Sequence, residues 1–437
     1  MQILDWQQLD DAARRAALAR PAAALGAEVI EQARAIIATV RRDGDAALRR
    51  YTAEFDGATP AALRVSAAEF AAAETQLGAE ATAALRVAID NVSTFHAPQL
   101  PGPLALETQP GVRCERLLRP IRAVGLYVPA GSAPLPSTVI MLAVPARLAG
   151  CPTRVLCTPP QRDGSASAAV LVAARLCGID TVFKVGGAQA IAALAYGTAS
   201  IPKVDKIFGP GNAWVTAAKQ LVAADAAGAA LDMPAGPSEV LVIADDAARA
   251  DFVAADLLAQ AEHDPSAQAL LVTTSAQLAR DVAAAVQRQQ AGLSRREILA
   301  RSVASIRLIV VPDLDAAVAV SEDYAPEHLI IQTRAPRALL ARIGNAGSVF
   351  LGAWSPETIG DYCSGTNHVL PTYGYARAYS GLSVLDFTRR MTVQELDAGG
   401  LARLGPVAQT LAGLEGLDAH AAAVGVRLAA LARDATP

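Results

Sequence analysis

The chain reads as an α/β protein built from two Rossmann-like doubly wound modules with helical N-terminal and C-terminal extensions. Three observations predict this. Apolar residues make up 52% of the 437 positions while aromatics supply only 4%, so the core must be assembled from Ala, Leu and Val. From residue 121 onward, short apolar runs alternate with alanine-rich stretches of helical period, the pattern of a mainly parallel sheet covered on both faces. Glycine turns punctuate the passage from run to helix.

The elements follow in order. Residues 1 to about 95 look helical, with apolar residues recurring three and four apart through Ala27–Val40 and Ala67–Val87. Ile121–Tyr127, Arg154–Cys157, Thr181–Val185 and Lys206–Phe208 are expected strands, interleaved with helices over Ser137–Leu148, Ser165–Leu176 and Asn212–Ala223. A second set repeats the pattern. Its strands are Val240–Ala244, Ala269–Thr273, Arg307–Val311, His328–Gln332 and Ser348–Leu351; its helices are Ala250–Ala261, Ala276–Gln289, Leu314–Ser321 and Pro336–Ile343. The glycine- and proline-rich joint Met233–Ser238 separates the two sets. After Gly381 the residues read as helical again, through Val393–Leu396, Leu401–Gly413 and Ala419–Leu431, a tail too short for a stable core of its own. The expected domains are therefore 1–120 with 238–381, 121–237, and 382–437.

Composition excludes several classes. A net charge of −4 without a basic cluster leaves no electrostatic footprint for nucleic acid, so the partner is a small molecule. The acidic N-terminus lacks the basic and apolar segments of a signal peptide, and no run approaches the roughly 18 apolar residues of a membrane span; a cytoplasmic protein is expected. Cys114, Cys151, Cys157, Cys177 and Cys363 are odd in number and form no CxxC pair, which points to reduced, buried thiols.

Chemistry concentrates in Asp361-Tyr-Cys-Ser-Gly-Thr-Asn-His368-Val-Leu-Pro-Thr372, where metal-type ligands and hydrogen-bonding side chains crowd a glycine turn. Histidine, the commonest metal ligand and the side chain that titrates near neutrality, occurs only at His96, His263, His328, His368 and His420. Gln260 and His263 lie three apart near one helix end and share a face. A solvated helix end would look the same, but Asp361, His368 and His420 offer the further ligands a metal needs, and nitrogen with oxygen donors suits zinc, with manganese and cobalt left open. Pro326-Glu327-His328 opens an apolar strand. Neighbours on a strand point to opposite faces, so this pair can meet one substrate only where the backbone turns into the strand; a general-base pair and a strand-edge charge pair both fit. His96 reads as an ordinary histidine capping a helix or lying at the surface.

Lys184-Val-Gly-Gly-Ala-Gln189 and Phe208-Gly-Pro-Gly-Asn212 each follow a strand and open a helix, where backbone N–H groups can receive an anion. Tyr127-Val-Pro-Ala-Gly-Ser132 is a third loop at a strand end. None is the G-x-G-x-x-G fingerprint, so the residues by themselves do not establish a dinucleotide site.

Together with Asp232-Met-Pro-Ala-Gly-Pro-Ser-Glu239, Leu258-Ala-Gln-Ala-Glu-His263, Tyr324-Ala-Pro-Glu-His328, Gly360–His368 and Glu415-Gly-Leu-Asp-Ala-His420, these loops resemble histidinol dehydrogenase over nearly the whole chain. That resemblance implies NAD-dependent four-electron oxidation of L-histidinol to L-histidine through the aldehyde, the last two steps of histidine biosynthesis. It implies one zinc per subunit on Gln260, His263, Asp361 and His420, and Glu327 with His328 as the acid-base pair. It implies that Ser238, His368 and Glu415 join those ligands and His328 in holding substrate, while Tyr127, Gln189 and Asn212 contact NAD. It implies a homodimer with shared active sites, into which the tail brings Glu415 and His420. A paralogue acting on another hydroxyalkyl compound, such as sulfopropanediol, is the alternative; Glu415 and His368 suit a cationic amino-imidazole better than a sulfonate.

Overall fold

β-Branched and leucine-rich runs bounded by glycine become parallel strands, because a strand covered on both faces must be apolar on both. The computed structural model describes residues 1–20, 26–130, 133–234 and 236–434; Gly131 and Ser132 of the expected third loop and Ala235 of the joint lie outside them. The strands are β1 (Gln2–Asp5), β2 (Leu104–Gln109) and β3 (Val112–Pro120), then β4 (Ala123–Tyr127), β5 (Thr153–Thr158), β6 (Val182–Lys184), β7 (Lys206–Phe208) and β8 (Ala230–Leu231). They continue as β9 (Glu239–Ala244), β10 (Gln268–Thr273), β11 (Arg307–Val310), β12 (His328–Gln332), β13 (Ser348–Leu351) and β14 (Thr388–Leu396). The chain divides into two compact units, residues 1–99 with 121–387, and residues 100–120 with 388–437.

The first unit holds two all-parallel sheets, one ordered β6-β5-β4-β7-β8 and the other β1-β11-β10-β9-β12-β13. Alternation along β4 builds two cores at once: Val124 and Leu126 face the helices Pro136–Leu148 and Ala168–Leu176, whereas Ala123 and Tyr127 face Ala27–Asp43 and Gly187–Tyr196. The larger sheet does the same, Val240 and Val242 packing on one layer and Leu241 and Ile243 on the other. Doubly wound sheets thus form where the alternation of strand and helix placed them. All five cysteines are free thiols, and Cys151, Cys157 and Cys177 are buried as expected, whereas Cys114 and Cys363 are only partly buried.

In the second unit β14, β3 and β2 form an antiparallel sheet, and the helices Ala398–Leu414 and Asp418–Asp434 follow it. Here the sequence reading needs correction: Val393–Leu396 is strand, not helix. Thr388, Thr392 and Val393 are β-branched, and pairing along β3 from Pro120 to Val112 decides the conformation. The N-terminus also departs from an all-helical reading, because Gln2–Asp5 pairs with β11 as an edge strand. His96 ends the helix Ala79–His96 but is buried at 1% exposure rather than lying at the surface, its ring edge-on to Phe95.

Candidate active site

In the six-stranded sheet the order reverses between β9 and β12, and their first residues lie side by side: His328 pairs with Val240, one residue after Glu239. The chain enters β12 from a left-handed turn at Ala325 (φ 50°) that closes the helix Leu314–Tyr324, and this turn carries Glu327 and His328 into the interior together. The Glu239 backbone touches both. Its N–H donates to Glu327 Oε2 at 2.8 Å, and its carbonyl oxygen accepts from His328 Nδ1 at 3.0 Å. A carbonyl can only accept, so Nδ1 carries a proton and Nε2 is left facing Asp361 Oδ1 at 3.4 Å.

Two further elements deliver side chains to the same edge. The helix Ala250–Ala261 runs back against β9, so its C-terminal end returns to the sheet's N-terminal edge and carries Gln260, fully buried, with His263 in the turn beyond. Amide nitrogen and oxygen are distinguished by their partners. With its nitrogen inward, Gln260 donates to the Glu239 carbonyl at 3.2 Å and to Glu357 Oε1 at 3.0 Å; the reverse would set oxygen against oxygen. The short helix Glu357–Tyr362 supplies Glu357 and Asp361, four apart on one face, and Gly360 lets it approach Phe350 so closely that a Cβ would sit 2.4 Å from the ring. His368 donates from Nδ1 to the Asp361 carbonyl at 2.7 Å and receives Thr138 Oγ1 on Nε2 at 3.3 Å, so both its ring nitrogens are engaged. Ser238 precedes β9 and accepts the Gln268 amide on its carbonyl at 3.1 Å.

Burial sets the electrostatics. It lifts Glu327 and Glu357 each to about 8. Burial acts most strongly on His328 too, in the lowering direction, yet Glu357, Glu327 and Asp361 around it push the imidazole well above its ordinary range. Asp361 is held below the usual carboxylate range: desolvation opposes this, and the hydrogen bond and charge of His328 overcome it. Desolvation lowers His263 and His368, with Asp361 acting on both in the opposite sense; the His263 ring keeps solvent access, so its desolvation is partial.

A metal would meet oxygen and nitrogen donors here. Among the described residues, ligand atoms of His328, Glu357 and Asp361 lie within 4.8 Å of one another. His328 Nδ1 is committed to Glu239 and Glu357 Oε1 to Gln260, whereas His328 Nε2 and Glu357 Oε2 are buried without a hydrogen-bond partner. Gln260, His263 and Asp361 offer an amide oxygen, an imidazole and a carboxylate beside that cluster, a donor set whose chemistry fits a zinc-type ion.

The five-stranded sheet reverses order between β4 and β7, and the loops after them are the place where open sheets receive ligands. Tyr127 ends β4 and its hydroxyl accepts the Gly187 N–H at 3.0 Å. Gln189, in the first turn of Gly187–Tyr196, is 1% exposed with neither amide atom partnered. Asn212 caps the helix Ala213–Ala223 by accepting the Val215 amide at 3.1 Å. Gly209 holds φ 122° and lies so close to β4 that a Cβ would be 2.1 Å from the Tyr127 carbonyl oxygen.

Residues 19–428 match the histidinol dehydrogenase family. The chain belongs to the histidinol dehydrogenase family. It is 55% identical over 434 residues to histidinol dehydrogenase of Vibrio parahaemolyticus, covering 99% of this chain and 100% of that one, and 58% identical over 428 residues to that of Xanthomonas axonopodis pv. citri, covering 98% and 99%. The crystal structure of histidinol dehydrogenase from Elizabethkingia anophelis superposes with a TM-score of 0.93 at 43% identity, covering 98% of each chain.

For a member of this family, the residues singled out from sequence divide between the units. Ser238, Gln260, His263, Glu327, His328, Asp361 and His368 belong to the first unit, around one sheet edge, and Tyr127, Gln189 and Asn212 to its other sheet. Glu415 and His420 belong to the second unit, exposed at the end of one helix and the start of the next. Sequence reasoning missed three residues. Glu239 is fully buried, bound by Arg20 through two hydrogen bonds of 2.5 and 2.8 Å and by the Tyr373 amide at 2.9 Å; Glu357 is the third. The available signals were a carboxylate opening an apolar parallel strand and an acid four residues before Asp361.

Proposed function

We propose that the chain oxidises L-histidinol to L-histidine through L-histidinaldehyde, reducing two NAD per substrate, in the last two steps of histidine biosynthesis. The observation that carries this reading is the Glu327–His328 pair, buried together with His328 Nε2 turned to Asp361, in a chain whose relatives share more than half its residues end to end. The sulfopropanediol alternative has no comparable support.

The residues divide the work. His328 is fixed with Nδ1 on the Glu239 carbonyl, so in the neutral ring Nε2 is the nitrogen that can take the substrate's hydroxyl proton. Glu327 is suited to activating the water that adds to the aldehyde, because the Glu239 amide holds its carboxyl in place while burial raises its basicity. Gln260, His263 and Asp361, with His420 of the partner subunit, would hold zinc, and Ser238, His368 and Glu415 would help to hold substrate. Tyr127, Gln189 and Asn212 would contact NAD within a module spanning 121–237, while 1–120 with 238–381 carries the metal and acid-base residues. When bound, zinc supplies an anchor for the substrate's nitrogens and NAD supplies the hydride acceptor.

A homodimer is part of the proposal. In the second unit Leu414 is 81% exposed and Val407, Leu411 and Val426 are also open, an apolar stretch of the sort that a second copy covers. No helix among the described residues is long and apolar enough to cross a membrane, and a cytoplasmic location accords with soluble substrates. The test is NADH formed per L-histidinol consumed at completion, before and after chelation. Two NADH, abolished by chelator and restored by zinc, is the expected result; no turnover by zinc-loaded protein would overturn the assignment.

A further inference from the structure

We infer that Glu357 is a positioning residue of the metal site, holding the Gln260 amide with its nitrogen inward so that its oxygen is presented as a ligand; this rests on the zinc reading above. An amide can turn either face to a metal, and only the oxygen face binds a hard or borderline cation well. What selects the face at Gln260 is a pair of acceptors. The Glu239 carbonyl lies 3.2 Å and Glu357 Oε1 3.0 Å from the amide nitrogen, and Gln260 is fully buried, so no water competes for that nitrogen. Rotating the amide would lose both hydrogen bonds and oppose oxygen to oxygen in the interior, a cost of several-fold to a hundredfold in the population of that rotamer.

Glu357 reaches a second functional group. Its Oε1 also lies 3.6 Å from His328 Nδ1, on the side of the ring turned to the Glu239 carbonyl. One buried carboxyl thus borders both the amide that would bind metal and the imidazole that would take the proton, and the proline before it starts the short helix that delivers Asp361 from the other end. Glu357 lies within reach of Asp361 and His328 as a ligand in its own right, because its Oε2 is buried without a partner while Oε1 accepts from Gln260. Acting through Gln260 and acting as a ligand make different predictions.

Zinc affinity of the metal-free full-length protein, measured by competition with a chromogenic chelator, separates them. Glu357→Leu, which removes the acceptor, is expected to weaken zinc binding by about 10- to 100-fold, the usual effect of losing a partner behind a metal ligand. Glu357→Gln, whose carbonyl oxygen can still accept from Gln260, is expected to restore affinity to within about threefold of wild type. In a Gln260→Ala background, Glu357→Leu should have no further effect. Should the leucine variant not fold, as judged by circular dichroism, Glu357→Ala replaces it in the same cycle. Additive losses in the double variant, or a loss in Glu357→Gln as large as in Glu357→Leu, would overturn the positioning role in favour of direct ligation. Unchanged affinity in Glu357→Leu alongside a loss in Gln260→Ala would overturn it while sparing the zinc site. Full affinity in Gln260→Ala would overturn the zinc reading, and this inference with it.

Discussion

His328 turns Nδ1 onto the carbonyl oxygen of Glu239 at 3.0 Å, and the amide of the same Glu239 holds Glu327 at 2.8 Å. The backbone of one residue at the head of β9, through its N–H and its carbonyl, therefore orients both members of the acid-base pair. This is possible because β9 and β12 are neighbours in register, His328 opposite Val240, so the residue before the register pair lies at the mouth of the next strand. The tautomer follows from the geometry: a proton on Nδ1 leaves Nε2 to do the chemistry.

Substituting each member should split the two half-reactions. His328→Asn keeps a donor for Glu239 but removes the base, and is expected to slow alcohol and aldehyde oxidation alike, by roughly 100- to 10,000-fold. Glu327→Gln should slow chiefly aldehyde oxidation by a comparable factor while sparing the first step. Rates measured separately with histidinol and with histidinaldehyde decide this; equal damage by Glu327→Gln to both would end the division of labour.

Arg20 supports the same residue from behind. Its guanidinium forks onto the fully buried Glu239 carboxylate and stacks on Tyr324 with its carbon 3.9 Å from the ring centroid. Truncation to Arg20→Met leaves that carboxylate buried without its partner, and removing one member of a buried pair costs about 3 to 5 kcal/mol. The urea midpoint of the zinc-free protein should fall accordingly, and kcat should fall with it because the Glu239 backbone positions His328 and Glu327. An unchanged midpoint would mean that Tyr373 alone suffices to hold Glu239.

Asp256 predicts a pH dependence of stability. Its carboxyl is 5% exposed, accepts Gln332 Nε2 at 2.8 Å, and burial lifts it to about 7. The folded state keeps this proton up to that pH, while the unfolded chain releases it near pH 4. Between those values the folded state binds more protons, so this contribution makes stability fall as pH rises. Asp256→Asn retains an acceptor for Gln332 without the charge, and should be the more stable protein at pH 8 by on the order of 2 to 4 kcal/mol, with no advantage at pH 4. Urea unfolding of metal-free protein at the two pH values provides the check, and a variant less stable at both would refute the buried-charge account.

The doubly wound core was legible because its signal is local: an apolar run and an alanine-rich helix each announce themselves within a dozen residues, and β12 and Lys206–Phe208 begin and end where the sequence places them. Val393–Leu396 was misread because its conformation is set by β3, more than 270 positions earlier in the chain, and no local period records a distant partner. The same contrast holds in the site. Glu327 and His328 stand out as adjacent ionisable groups at a strand mouth. Glu239, Arg20 and Glu357 act on them from sequence separations that only the fold closes, 219 residues in the case of Arg20 and Glu239, and carboxylates in isolation carry no mark of burial.

Gln189 offers a test in which stability and binding move in opposite directions. Its amide is 1% exposed, unpartnered at both atoms, and stands in the first turn of a helix at the head of the five-stranded sheet. An unsatisfied buried amide costs about 1 to 3 kcal/mol in the free protein, and that cost is recovered only if a ligand supplies the missing hydrogen bonds. Gln189→Leu removes the polar atoms at similar volume, so the cofactor-free protein should unfold at equal or higher urea concentration than wild type. NADH affinity, read from fluorescence titration, should fall by roughly 10-fold or more, because the ligand loses its partner. Weaker folding with undiminished NADH affinity would show that Gln189 serves the core of this module and not its cofactor.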